Sequence, residues 1–364
     1  MKFDIPEYIR SLRPYTPGRP IEEVKREYGI SEVIKLASNE NAIGPSPKAT
    51  EAIKEALPYL HRYPSSSGWR LCKKLAQRLN VKQGQIVLGN GSDEIMGLVG
   101  HVFLLPNDQV IIPSSSFSIY EKIAHLYHAK VVKVPLSAFK VDLNGILKRV
   151  TKRTKLIFIN NPHNPTGTVF TVSEWESFLD EVPSSTIIVL DEAYADFIED
   201  SKRINTLDYL KDFKNLIILR TFSKSYGLAG LRIGYGILDA SLAYYLQLVR
   251  DPFSVNSLAQ IGALAALDDE EFLEKTKKIV WKGKAYLISE FKKLGIITVP
   301  SEANFLLVYL GGKAESICES LLSKGVIVRS MEGYGLKEYL RITIGKQKEN
   351  KKLILNFKEI WGKM

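Results

Sequence analysis

Leu156-Ile157-Phe158-Ile159-Asn160-Asn161-Pro162-His163-Asn164-Pro165-Thr166-Gly167 passes in one step from an apolar run to a turn built of Asn, Pro and Gly. A continuous run of this kind fits a strand buried on both faces, and the turn residues end it. The same change from apolar to polar recurs at 186–191, followed by Glu192-Ala193-Tyr194, and at 215–220, followed by Thr221-Phe222-Ser223-Lys224. It recurs again at 85–88, followed by Gly89-Asn90-Gly91-Ser92-Asp93-Glu94, which opens a helix. Further β-branched runs stand at 109–112, 130–134 and 233–237. Helical segments separate most of them. Ser46-Pro47 precedes one over 49–60, with proline in its tolerated first turn, and Ser173-x-x-Glu176 reads as a capping box opening another over 173–180. Buried strands spaced by helices predict an α/β doubly wound architecture around a mostly parallel sheet.

The rhythm changes after Ser254. Long helical stretches over 257–267 and 270–294 lead into short strands at 296–299, 305–309, 326–330 and 340–344, and a helix over 349–361 follows. This pattern predicts a smaller α+β domain. The first forty residues have no strand rhythm of their own and are expected to pack onto it. The expected division is a large domain over 40–255 and a small domain made of 1–39 plus 256–364.

A length of 364 residues agrees with two domains. Hydrophobic residues at 45% and charged residues at 25% match an ordinary globular composition, not a disordered or fibrous one. No run of 18 apolar residues occurs, which argues against a spanning helix and a membrane partner. Residues 1–10 mix charge and proline without an apolar stretch, so no secretory signal is expected. The two cysteines, Cys72 and Cys318, are expected as free thiols in a reducing cytoplasm. The net charge of +10 is spread over many helices instead of forming one basic stripe, so it predicts a solvated surface suited to small anions, not nucleic acid. His125 and His128 lie three apart on one helical face without a third ligand nearby, and solvent exposure, not a metal, is expected for them.

Ligands of open α/β sheets bind at the carboxyl ends of the strands, and these ends carry the chemistry. A lysine such as Lys224 at a crowded strand end loses solvation of its ammonium and can act as a nucleophilic amine. Asp191, ending a buried strand, is costly to bury as a charge unless a cation sits opposite. The helix start at Gly91-Ser92 presents free N–H groups that favour a phosphate, and Ser223 and Arg232 can add a hydroxyl and a guanidinium fork. Taken singly, each feature has an ordinary reading: a surface lysine, a helix cap at Asp191, a turn at 164–167. Together they ask for a ligand with a Schiff-base carbonyl, a ring cation and a phosphate, which is pyridoxal 5′-phosphate.

Asn164-Pro165-Thr166-Gly167, Asp191-x-x-Tyr194 and Ser223-Lys224 with Arg232 eight residues on resemble the fold-type I, class II pyridoxal-phosphate aminotransferases. Within that group the chain resembles the histidinol-phosphate aminotransferase family. The matching stretches are Arg13-Pro14-Tyr15-x-Pro17-Gly18, Leu36-Ala37-Ser38-Asn39-Glu40-Asn41, Arg62-Tyr63-Pro64, Asn90-Gly91-Ser92-Asp93-Glu94, and Val328-Arg329 ahead of Leu340-Arg341-Ile342-Thr343-Ile344-Gly345.

The resemblance implies a role for each matching position. Lys224 forms the Schiff base and shuttles the proton, Asp191 pairs with the pyridinium nitrogen, and Asn164 and Tyr194 hydrogen-bond the ring oxygen. Phe117 lies against the ring face, where the family commonly carries tyrosine. Gly91, Ser92, Asp93, Thr221, Ser223 and Arg232 surround the cofactor phosphate, with Tyr63 reaching in from a second subunit of a homodimer. Arg341 binds the acidic end of the substrate, and Tyr15, Asn39 and Arg329 complete the pocket. The implied reaction is ping-pong transamination between histidinol phosphate and 2-oxoglutarate in histidine biosynthesis. An aromatic aminotransferase and a decarboxylase of phosphorylated amino acids share the Lys224 and Asp191 machinery and stay open as alternatives. One departure is Ser65-Ser66-Ser67-Gly68, where the family usually has aspartate after Arg62-Tyr63-Pro64.

Overall fold

The computed structural model describes residues 3–10, 12, 14 and 18–363. Its large sheet has seven strands in the order Ile86–Gly89, Gly234–Ile237, Leu216–Thr221, Ile187–Asp191, Thr154–Asn160, Gln109–Pro113 and Lys130–Val134. Neighbours run parallel except at Gly234–Ile237, which is antiparallel to both strands beside it. The expected mostly parallel α/β sheet is therefore present.

Side-chain alternation explains why both faces are covered. Along Thr154–Asn160, Ile157 and Ile159 join one apolar cluster with Trp175, Phe178 and Phe222. Leu156 and Phe158 join the other, with Ile95 and Tyr120. The register sets Asn160 beside Asp191, and Asp191 beside Leu219, two residues before Thr221. The polar strand ends therefore finish level along one edge of the sheet.

The helix expected over 173–180 is Val172–Glu181, and its capping box is Thr171 with Glu174, not Ser173 with Glu176. The Glu174 N–H donates to the Thr171 hydroxyl at 3.2 Å, and Glu174 accepts the Thr171 N–H at 2.6 Å. Both pairs have the right spacing. What selects the earlier one is Phe170 stacking on Trp175 at 5.3 Å, a hydrophobic staple across that helix start.

The smaller sheet has four antiparallel strands in the order Arg329–Ser330, Tyr339–Thr343, Phe305–Tyr309 and Thr298–Val299. The strand expected over 326–330 divides at Val328. Val326–Ile327 pairs in parallel with Ile34–Lys35, while Arg329–Ser330 joins the four-stranded sheet. The first forty residues thus contain a strand, too short to leave a rhythm in the sequence. Helix Ser257–Ala266, read from sequence with the smaller unit, packs Ala259, Ala263 and Ala266 into the cluster under the large sheet. Its small side chains allow close approach to helix Pro47–Ala56.

Candidate active site

The level strand ends, the segment around Asn39 and the smaller sheet enclose one cavity. Asn39, Ser92, Asp93, Phe117, Asn164, Asp191, Tyr194, Thr221, Ser223, Lys224, Arg232, Arg329 and Arg341 all line it. The structure thus brings together nearly every residue singled out in the sequence.

Asp191 ends its strand 6% exposed. Its Oδ2 accepts the Tyr120 hydroxyl at 2.8 Å and its Oδ1 accepts the Ala193 N–H at 3.0 Å. Burial pushes this carboxyl up to about 6, while the bonds from Tyr120 and Ala193 work in the opposite direction. Tyr120 is fully buried, stacked on Phe158 at 5.0 Å and edge-on to Phe117 at 5.8 Å. Sequence reading missed it, because it lies inside a helix and carries no motif.

Beyond strand Leu216–Thr221 the chain turns, and the Thr221 hydroxyl accepts the Ser223 N–H at 3.1 Å. Lys224 then extends its amine over the Tyr194 ring, 5.5 Å from the centroid, and donates to the Ser38 carbonyl at 3.4 Å. On the other side, Gly91 caps helix Ser92–Phe103 at φ 79°. A Cβ on Gly91 would stand 2.5 Å from Arg232 Nη2, and one on Gly234 would stand 2.5 Å from the Ser92 nitrogen. The backbone therefore closes into a cup that only glycine permits. Arg232 reaches it, 3.5 Å from the Asp93 carboxylate. Free N–H groups at a helix start together with a guanidinium suit a phosphate.

The smaller sheet contributes Arg329 and Arg341, paired across adjacent strands. Arg341 is buried, donating to Asn164 Oδ1 at 2.6 Å and to the Ala37 carbonyl at 2.8 Å, with its guanidinium over the Phe305 ring. Tyr194 accepts a hydrogen bond from Asn39 Nδ2 at 3.0 Å and packs edge-on to the same Phe305.

Two expected residues stand apart. Tyr63 is 83% exposed and stacked on Phe253 at 4.8 Å, outside the cavity of its own chain. Tyr15 lies outside the described residues. His163 is fully buried in the turn before Asn164, with Nδ1 2.9 Å from the Thr166 hydroxyl, and burial pushes its imidazole down to about 3. His125 lies 3.6 Å from Glu121, and the exposed His128 lies against Tyr8. Among the described residues no three His, Cys, Asp or Glu side chains are grouped to hold a metal, and no helix is long and apolar enough to cross a membrane.

An amine and three guanidinium groups lining one cavity suit the exchange of an amino group between anionic acids, which is the work of aminotransferases. The family described as aminotransferase class I and II matches residues 31–357, and the chain belongs to that family. A histidinol-phosphate aminotransferase of Moorella thermoacetica is 44% identical over 97% of this chain and 92% of its own length. One from Symbiobacterium thermophilum is 42% identical over 97% of this chain and 98% of its own. The crystal structure of histidinol-phosphate aminotransferase from Sinorhizobium meliloti in complex with pyridoxal-5′-phosphate superposes with a TM-score of 0.93 at 26% identity. It covers 100% of this chain and 99% of that one.

Proposed function

We propose that this protein is a pyridoxal-phosphate-dependent transaminase that exchanges an amino group between histidinol phosphate and 2-oxoglutarate in histidine biosynthesis. The observation that carries the reading is the convergence of Lys224, Asp191, Arg232 and Arg341 on one cavity. The fit to the cofactor rests on the glycine-lined cup at Gly91 and Gly234 and on the Asp191 carboxylate, buried at a strand end, whose pKa burial raises.

The bound cofactor supplies an electron sink for the charge left when a substrate α-proton departs. Lys224 would hold the cofactor through its Nζ, and the same amine would take up the departing proton. Asp191 would face the ring nitrogen, and a cation there would lower the carboxyl that burial has raised. Asn164 and Tyr194 would hydrogen-bond the ring oxygen, and Phe117 would cover one ring face. The Gly91, Ser92 and Asp93 turn, Thr221, Ser223 and Arg232 hold the phosphate. Arg341, with Arg329, Asn39 and Tyr15, binds the acidic end of each substrate. Guanidinium forks accept carboxylate and phosphate alike, so one pocket serves both half-reactions.

The working unit in this reading is a homodimer in the cytoplasm, in which Tyr63 of one protomer reaches the site of its partner. Exposed apolar side chains on two adjoining segments support a covered face: Tyr59, Leu60 and Tyr63 on one, Tyr244, Leu248 and Phe253 on the other. The Tyr63–Phe253 stack and the bond from Arg250 to the Ser66 carbonyl join them. Both cysteines are free, in keeping with a reducing compartment. The division into a large unit over 40–255 and a small unit of 1–39 plus 256–364 belongs to the same reading, with helix Ser257–Ala266 lying against the large one.

The test is an assay of the cofactor-loaded protein with histidinol phosphate and 2-oxoglutarate, reading glutamate. Phenylalanine turned over as fast as histidinol phosphate would make it an aromatic enzyme. Carbon dioxide released without any keto acid would make it a decarboxylase.

A further inference from the structure

We infer that Thr343 is a positioning residue that sets the direction of the Tyr194 hydroxyl proton, acting through Asn39; this rests on the reading above, in which Tyr194 meets the cofactor's ring oxygen. The three side chains form a buried relay, 3%, 1% and 6% exposed for Thr343, Asn39 and Tyr194. The Thr343 hydroxyl accepts the Asn39 N–H at 3.0 Å and donates its proton to Asn39 Oδ1 at 3.0 Å. A threonine hydroxyl carries one proton, and Asn39 Oδ1 accepts it; a flipped amide would present Nδ2 there and take that acceptor away from a buried hydroxyl proton. That fixes which way the Asn39 amide points. Its Nδ2 is turned to Tyr194 and donates to the phenol oxygen at 3.0 Å. Tyr194 is thereby the acceptor in this contact, and its own proton is left to point into the cavity that its side chain lines. Asn304 holds the Asn39 backbone carbonyl at 3.1 Å, and Phe305, opposite Thr343 in the register, packs against the Tyr194 ring. The smaller sheet thus dictates a proton direction at the strand ends of the large one.

A donor to the ring oxygen drains charge that otherwise helps hold a proton on the neighbouring amine-derived nitrogen. Losing it must raise the pH at which the visible absorption of the bound cofactor changes. The experiment is a pH titration of that absorption in the cofactor-loaded protein. Thr343→Val, which keeps shape but has no hydroxyl, is expected to move the transition up by about half to one pH unit, the size of one lost hydrogen bond. Thr343→Ser is expected to restore it. In a Tyr194→Phe background, Thr343→Val should add no further shift, because the relay has lost its end point. If Thr343→Val does not fold, Thr343→Cys, with a weaker donor, should give a smaller shift in the same direction. An unmoved transition in Thr343→Val, or an equal shift with and without the Tyr194 hydroxyl, overturns the inference. A wild-type protein that gains no visible absorption at all overturns the cofactor reading instead.

Discussion

The Tyr120 hydroxyl donates to Asp191 Oδ2 at 2.8 Å from within a fully buried stack of rings. It is one of two hydrogen bonds that oppose the effect of burial on that carboxyl, the other coming from the Ala193 N–H. Removing it in Tyr120→Phe leaves the ring stack but weakens the ionised form of Asp191. One such bond is worth about 1 kcal/mol. Cofactor affinity at neutral pH is therefore expected to fall about three- to tenfold, measured by titrating the cofactor-free protein with pyridoxal phosphate. Unchanged affinity would show that the backbone bond alone suffices.

The same carboxyl links stability to pH in the cofactor-free protein. Burial raises the Asp191 pKa to about 6 in the folded state, above the value of an exposed aspartate. The folded state therefore binds the proton more tightly than the unfolded one. Its contribution is fully present below the unfolded pKa near 4 and is lost as pH rises through about 6, amounting to roughly 2–3 kcal/mol. Melting curves from pH 4 to pH 7 should show this loss in the wild type and a flatter profile in Asp191→Asn. In the proposed reading a ring cation of the cofactor pairs with this carboxylate, so adding cofactor should recover stability mainly above pH 6.

Residues that enter the cavity from the end of their own strand were legible in the sequence. Asp191, Asn164 and Lys224 each follow an apolar run, and parallel strands bring such ends to one edge. Residues that act through another side chain were not. Tyr120 lies 71 positions from Asp191, and Thr343 lies 304 from Asn39. In sequence each is an ordinary member of a helix or a strand, and only packing makes it a partner. Local ambiguity hid other features. Thr171 and Ser173 both have a glutamate three residues on, and the choice depends on Phe170 meeting Trp175. The run 326–330 looks like one strand, yet it serves two sheets because Ile34–Lys35 claims its first half.

Arg341 holds Asn164 and the Ala37 carbonyl with two different nitrogens of one planar fork. An ammonium cannot reproduce that geometry, so Arg341→Lys keeps the charge and loses the alignment. In the proposed reading the aligned guanidinium also meets the substrate carboxylate, so KM for 2-oxoglutarate should rise about ten- to a hundredfold. The visible absorption of the bound cofactor should persist, because Lys224 and Asp191 remain. Steady-state kinetics at varied 2-oxoglutarate checks this, and an unchanged KM would remove Arg341 from substrate binding.

Two glycines at one helix separate cofactor binding from stability. Gly91 sits at φ 79°, and a methyl there would stand 2.5 Å from Arg232 Nη2. Gly91→Ala strains the turn, at about 1–3 kcal/mol, because φ 79° with ψ 169° is a conformation essentially confined to glycine, and it crowds the Arg232 guanidinium at the cup. Cofactor affinity is expected to fall at least about tenfold, since an N–H cradle and a charged fork are disturbed together. Gly97, inside the same helix, has nothing within 4 Å of an added Cβ. Gly97→Ala should instead stabilise the helix by about 0.5–1 kcal/mol and leave cofactor affinity alone. Thermal melting and cofactor titration on both variants read the two effects separately. Equal cofactor affinity in Gly91→Ala and wild type would mean that the phosphate is held somewhere other than this cup.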